Sequence, residues 1–112
     1  MGYNLHITRA ASWLESEDVP IRQSEWEEVA DDDPSFNRGG EIRWDDQGVQ
    51  REYVILGIRA VFSWNLGRVD IWGDFPGQLY EVAVRVAGRL NAHVAGDEHE
   101  YYRTDGTSFE AM

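Results

Sequence analysis

Nine carboxylates lie between positions 15 and 33 of this 112-residue chain, and a single base, Arg22, lies among them. These carboxylates belong to Glu15, Glu17, Asp18, Glu25, Glu27, Glu28, Asp31, Asp32 and Asp33. Clustered negative charge attracts cationic groups and speeds their association through long-range steering. Phosphate backbones and anionic membranes bind Lys and Arg instead, so a chain of formal net charge −11 is predicted to bind neither nucleic acid nor membrane. The charge therefore indicates a basic protein partner, unless it serves only to keep the protein in solution.

The three histidines are the other side chains that could do chemistry near neutral pH. His6 could act as a general base with a carboxylate from another element, although a hydrogen-bonded structural histidine is the commoner arrangement. His99 lies among Asp97, Glu98 and Glu100, but this spacing matches no metal motif. The chain contains no cysteine, which excludes disulfides and thiolate sites. We therefore predict no catalytic residue, no metal and no cofactor, and hence that the protein is not an enzyme.

The acidic region is predicted to consist of a loop followed by a short helix at 24–31. Ser24 followed by Glu27 has the pattern of a capping box, and Trp26 begins the apolar side of the helix. At the other end, the three aspartates at 31–33 oppose the helix dipole and precede a proline, so the helix should end there. Repulsion among these aspartates is expected to lower the stability of that helix end.

Alternating apolar and polar residues predict most of the remaining elements. The predicted strands cover residues 3–9, 41–45, 53–64, 68–73, 92–95 and 100–104, with turns at 39–40 and 46–48. A second helix is predicted over 76–90, where apolar residues recur at helical spacing. These residues are Leu79, Val82, Ala83, Val86 and Leu90. The order β-α-β-β-β-α-β-β indicates a single α+β domain over 1–104, with an antiparallel sheet of about five to six strands and two helices, and 105–112 should form a frayed tail.

Residues 3–9 have the sequence Tyr-Asn-Leu-His-Ile-Thr-Arg, and residues 67–71 and 90–97 have Gly-Arg-Val-Asp-Ile and Leu-Asn-Ala-His-Val-Ala-Gly-Asp. These segments resemble a family of small bacterial proteins of uncharacterised activity that begin with a Tyr-Asp-Leu-His-Ile-Thr-Arg stretch. Asn4 and Asn91 depart from the Asp and Gly of the family pattern. The resemblance implies a cytoplasmic bacterial domain. The lack of a visible secretory signal or of an apolar run of membrane length also predicts the cytoplasm.

Small size and acidity are also similar to those of immunity proteins, which neutralise toxins. We therefore predict a non-enzymatic protein that binds and neutralises a basic protein such as a toxin domain, as an immunity protein or antitoxin does. An aromatic side chain beside clustered charge is typical of an interface hot spot, so the loop residue Trp13 is assigned to the interface and Trp26 to the core. The predicted partner-binding residues are Trp13, Glu15, Glu17, Asp18, Glu25, Glu28, Asp31, Asp32 and Asp33. The alternative is a small housekeeping or ligand-binding domain whose acidity confers solubility. The sequence does not determine the partner's identity, the oligomeric state, the role of His6 or the roles of the loops at 34–40 and 46–51.

Overall fold

One antiparallel sheet organises the chain in the computed structural model, which describes residues 3–44, 48–55, 57–103 and 106–110, without the side chains of 38–44, 48–51 and 110. Over those residues the strands are β1 Leu5–Thr8, β2 Phe36–Trp44, β3 Gly48–Ile55, β4 Ala60–Asn65, β5 Arg68–Gly73, β6 His93–Gly96, β7 Glu100–Tyr102 and β8 Ser108–Glu110. The helices are α1 Gln23–Asp32 and α2 Gly77–Arg89, and a 3₁₀ segment spans Trp13–Asp18. The spatial order of the strands is β2-β3-β4-β5-β1-β6-β7-β8, so the N-terminal strand lies inside the sheet between β5 and β6.

The predicted α+β class and antiparallel sheet are confirmed, but the strand number and order are not. The described chain has eight strands instead of five to six, in the order β-α-β-β-β-β-α-β-β-β. The strand predicted over 53–64 is two strands, because Gly57 takes a φ of +84° that reverses the chain between β3 and β4. Ile58 in this reversal packs against the core, so the apolar pattern continues through the turn and conceals it.

The sheet also extends beyond the predicted strands at both edges. The turn predicted at 39–40 lies inside β2, where the register with β3 shifts between Arg38 and Gly40. Such a shift is a bulge, which glycine tolerates within a strand. The turn predicted at 46–48 lies largely outside the described residues, and β3 begins at its last residue, Gly48. Within the segment expected to fray, residues 108–110 form β8, which pairs with β7 through Tyr101 and Phe109.

The apolar core lies between one face of the sheet and the two helices. Its fully buried side chains include Leu5, Ile7, Trp26, Tyr53, Phe62, Val69, Ile71, Leu79, Val86 and Val94. The second helix keeps close to its predicted bounds, and its apolar stripe faces this core as expected. Each such side chain contributes about 1.5–3 kcal/mol when it is fully buried. We call this side of the sheet the helix face.

The helix α1 is positioned by Trp26, which is 0% exposed. The indole lies edge-on to Tyr53 at 5.5 Å and parallel to Phe62 at 6.1 Å. The helix begins one residue before the predicted cap, so Ser24 lies within it. Its first turn is held instead by Glu25, whose carboxylate accepts the Arg22 amide at 3.1 Å. The capping box predicted around Ser24 is therefore wrong, since a different glutamate serves this end.

The opposite face of the sheet is polar at its centre and is crossed by the 3₁₀ segment. Successive side chains of a strand alternate between faces, so His6 and Thr8 lie opposite Leu5 and Ile7. In register with His6 lie Asp70 on β5 and Ala95 on β6. The 3₁₀ segment is attached here, because the Ser16 hydroxyl lies 2.7 Å from that of Thr8. The acidic region is thus divided, with the 3₁₀ segment on this face and α1 on the helix face.

Candidate functional site

The carboxylate of Asp33, a predicted partner-binding residue, is buried and paired within the protein. The side chain is 3% exposed and accepts hydrogen bonds from Arg85 of α2, with Nη2 2.9 Å from Oδ1 and Nε 3.2 Å from Oδ2. The Ser35 amide also donates to Oδ1, at 2.9 Å. Burial opposes ionisation, but the bonds from Arg85 and Ser35 outweigh it and hold the pKa of Asp33 below its usual value. Asp33 is therefore not available to a partner in this structure.

Three further carboxylates of the predicted interface, all on α1, also contact groups of this chain. Asp32 pairs with Arg89 of α2 at 2.9 Å, and Asp31 accepts the Tyr53 hydroxyl at 2.8 Å. Glu25 pairs with Arg9 at 2.7 Å, and chiefly this bond lowers the pKa of Glu25 to about 2. The expected repulsion at the end of α1 is therefore offset, since two arginines on one side of α2 lie next to it.

The carboxylates of the 3₁₀ segment differ from those of α1. Glu15, Glu17 and Asp18 are all exposed, and none of them makes an ion pair with any residue that the structure describes. We call these three residues the acidic rim. Glu28 is the α1 carboxylate that shares this property. Of the predicted interface, the structure thus leaves one compact group of unpaired charges on the 3₁₀ segment and a single glutamate on α1.

Trp13 does not protrude from the surface as an isolated anchor would. Its half-buried indole stacks on the imidazole of His6, with ring centroids 3.9 Å apart and planes inclined by 12°. The guanidinium carbon of Arg68 lies 5.1 Å from the indole, and the His99 ring lies 6.0 Å away. Trp13 therefore covers His6 and fixes the start of the 3₁₀ segment to the sheet.

His6 is held between two carboxylates, and both of its ring nitrogens are engaged. Nδ1 lies 2.7 Å from Asp70 Oδ1, and Nε2 lies 2.7 Å from Asp97 Oδ1. Each ring nitrogen thus lies within hydrogen-bond distance of a carboxylate oxygen of this chain. Burial opposes the ionisation of Asp70, but His6 and Arg68 outweigh it and lower the pKa of Asp70. A general base must reach a proton of its substrate, whereas this imidazole is 3% exposed and both of its nitrogens contact groups of the same chain. Its geometry is that of a structural link between β1, β5 and the turn after β6.

The acidic group around His99 is likewise dispersed by the fold. Asp97 bonds to His6, while Glu100 accepts the hydroxyls of Tyr3 and Tyr102. The His99 ring lies 2.9 Å from the Ser12 hydroxyl. Over the described part of the chain, no three His, Cys, Asp or Glu residues gather as metal ligands do.

A shallow cleft of about 440 Å³ lies beside the acidic rim, and sequence reasoning missed it. Its lining comprises Glu17, Pro20, Ile21, Arg22, Gln23, Trp64, Leu66 and Gly67. The floor is fixed by two hydrogen bonds, from Trp64 Nε1 to the Ile21 carbonyl at 2.7 Å and from the Ile21 amide to the Gly67 carbonyl at 2.9 Å. The one signal in the sequence is a leucine in the tight turn between β4 and β5, a position that usually carries a polar residue or glycine.

No family model, curated protein or solved structure matches this chain. Function is therefore inferred from the geometry of the residues, and the family resemblance stays a prediction. In the ranges that the structure covers, neither helix combines the length and the apolar character needed to cross a bilayer.

Proposed function

We propose that this protein binds and neutralises a basic protein partner in the cytoplasm without catalysis, as an immunity protein or antitoxin does. The supporting observation is the acidic rim, in which Glu15, Glu17 and Asp18 are exposed and form no ion pair with a residue of the described ranges. In the α1 part of the acidic region, by contrast, the fold pairs Glu25, Asp32 and Asp33 with arginines. The rim is a departure from that pattern, and a cationic surface would complement it.

The rim is also held in a defined position. Ser16, between the two glutamates, is 0% exposed and bonds both to Thr8 and to the Trp13 carbonyl, at 2.7 and 2.6 Å. Trp13 stacks on His6 at the start of the same segment. A binding segment that is already ordered loses less conformational entropy when the partner docks. An ordered segment of this kind is better suited to binding a partner than a mobile loop that only solvates the protein.

The test compares association kinetics of two triple variants with the basic partner, which is identified by co-expression with neighbouring genes and confirmed with purified proteins. The rim variant carries Glu15→Gln, Glu17→Gln and Asp18→Asn. The control carries Asp74→Asn, Glu81→Gln and Glu98→Gln, which removes the same charge from exposed positions outside the predicted interface.

We expect the rim variant to associate on the order of tenfold more slowly at low salt and to show a flatter salt dependence, with a smaller change in the dissociation rate. The control variant should retain most of the association rate. Equal effects of the two variants, or a partner that proves acidic, would contradict the proposal.

The second candidate is a housekeeping or ligand-binding domain whose acidity confers solubility. The internal pairing of Glu25, Asp32 and Asp33 favours it for the α1 half of the acidic region, because those charges already have a structural role. Identical kinetics for the rim variant and the parent protein would leave this candidate in place.

A further inference from the structure

We infer that the cleft beside the acidic rim receives an apolar side chain of the basic partner, with a Lys or Arg next to it in the partner's sequence contacting Glu17. This inference rests on the proposed function and adds to it the place and chemistry of the contact. The cleft volume of about 440 Å³ is within the range of pockets that hold a ligand group. Interface hot spots are typically such pockets filled by one large side chain.

The lining of the cleft is apolar where an anchor would rest. Pro20, Ile21, Trp64 and Leu66 supply this surface, and Val19, which is 49% exposed, directly precedes it. The bonds of the Trp64 indole and the Ile21 amide keep the floor in place without a partner. A preformed apolar surface needs little reorganisation on binding.

Leu66 is the residue whose presence the fold explains least. It has a φ of +50° and is 37% exposed in a two-residue turn between the paired residues Asn65 and Arg68. The left-handed conformation is unfavourable for leucine and is usually taken by Gly, Asn or Asp. More than a third of Leu66 stays exposed, so burial offsets only part of this backbone cost. Backbone strain at an exposed apolar residue indicates a role outside folding.

The charges around the cleft define the partner's chemistry. Glu17 lines one side, with Asp18 following it and Glu15 preceding it on the acidic rim. Arg22 lines the cleft as well and would repel a cation. A cationic group next to the anchor is therefore directed toward Glu17. The fitting occupant is an exposed loop of the basic partner with an aromatic or large aliphatic residue flanked by Lys or Arg.

A first experiment uses peptide probes and does not require the partner. The peptides Lys-Trp-Lys, Lys-Ala-Lys and Glu-Trp-Glu, with blocked ends, are titrated to millimolar concentration while NMR follows the Trp64 indole N–H and the Leu66 methyl groups. We expect saturable shifts at both reporters with Lys-Trp-Lys alone. Leu66→Asn should abolish the shift at the Trp64 indole. Phe109→Ser, at a 39% exposed residue on β8 far from the cleft, should preserve it. No shift with Lys-Trp-Lys, or equal shifts with all three peptides, would overturn the inference.

A second experiment separates this inference from the proposed function. With the purified partner, Leu66→Asn should accelerate dissociation on the order of tenfold with little change in association, while its own melting temperature is unchanged or raised. If the rim variant slows association and Leu66→Asn leaves dissociation unaltered, the cleft inference is wrong and the proposed function stands. If neither variant changes the kinetics, both are wrong.

Discussion

Replacing Asp33 with asparagine should destabilise the protein, although the sequence alone predicts relief of repulsion at the end of α1. Asparagine retains one oxygen for the Ser35 amide but turns an amide NH₂ toward the Arg85 guanidinium. Hydrogen bonds to charged groups contribute about 1.5–3 kcal/mol. The Asp33 side chain is 3% exposed and that of Arg85 is 48% exposed, so solvent screens one partner only. We expect a loss of about 2 kcal/mol, which lowers the melting temperature of a domain of this size by about 8 °C.

The adjacent Asp32 provides the matched control. Its ion pair with Arg89 joins side chains that are 72% and 43% exposed, so Asp32→Asn should change the free energy of unfolding by less than about 0.5 kcal/mol. Thermal and urea unfolding of both variants measures the contrast. A double-mutant cycle with Arg85→Gln then isolates the coupling between Asp33 and Arg85.

The stabilisation by Asp33 should also depend on pH with a definite sign. The pKa of Asp33 in the folded protein lies below its ordinary value of 3.8, so its contribution is present above that value and is lost as the pH falls through the lower folded pKa. The difference in the free energy of unfolding between the parent and Asp33→Asn should therefore decrease as the pH falls below about 4. If Asp33→Asn and the parent protein have the same melting temperature at neutral pH, the pairing with Arg85 does not stabilise the fold and this reasoning is refuted. A higher melting temperature for Asp33→Asn would support the sequence-based expectation of repulsion.

Two further substitutions test the packing of the fold. Val86→Asp should unfold the protein at 25 °C, because it places an unpaired charge at a residue that is 0% exposed. A circular dichroism melting curve like that of the parent protein would show that this side of α2 does not pack in the core. Gly96→Ala should cost about 1–3 kcal/mol, because its methyl group would displace the Glu100 carboxylate from the Tyr3 and Tyr102 hydroxyls that bind it. Gly88→Ala, in open space on α2, should instead stabilise by about 0.5–1 kcal/mol, so equal unfolding midpoints in urea for the two alanine variants would contradict the packing around Glu100.

Elements defined by local periodicity were predictable from the sequence, and elements defined by a reversal within an apolar run were not. The second helix was predicted within a residue of each end, since its apolar stripe repeats over several turns. The sequence pattern predicted β3 and β4 as one strand, because the turn at Gly57 contains an apolar residue, Ile58, where a polar residue is usual.

For the candidate site, the sequence showed where acids cluster but not which of them lack a partner. That distinction depends on Arg9, Arg85 and Arg89, which the fold brings to α1 from distant positions. The cleft was hidden for the same reason, since Pro20 and Leu66 become neighbours only when the turn between β4 and β5 packs against the chain leaving the 3₁₀ segment.

The central position of β1 has a consequence for how the chain reaches its native state. This strand is synthesised before the other strands of the sheet, whereas its two neighbours, β5 and β6, end at Gly73 and Gly96. The strands β2 to β5 can pair through short local connections, whereas β1 must close long loops before it finds either neighbour. Insertion of β1 should therefore be a late folding event that joins two separately formed halves of the sheet. Until it occurs, the facing edges of β5 and β6 are open to pairing with other chains.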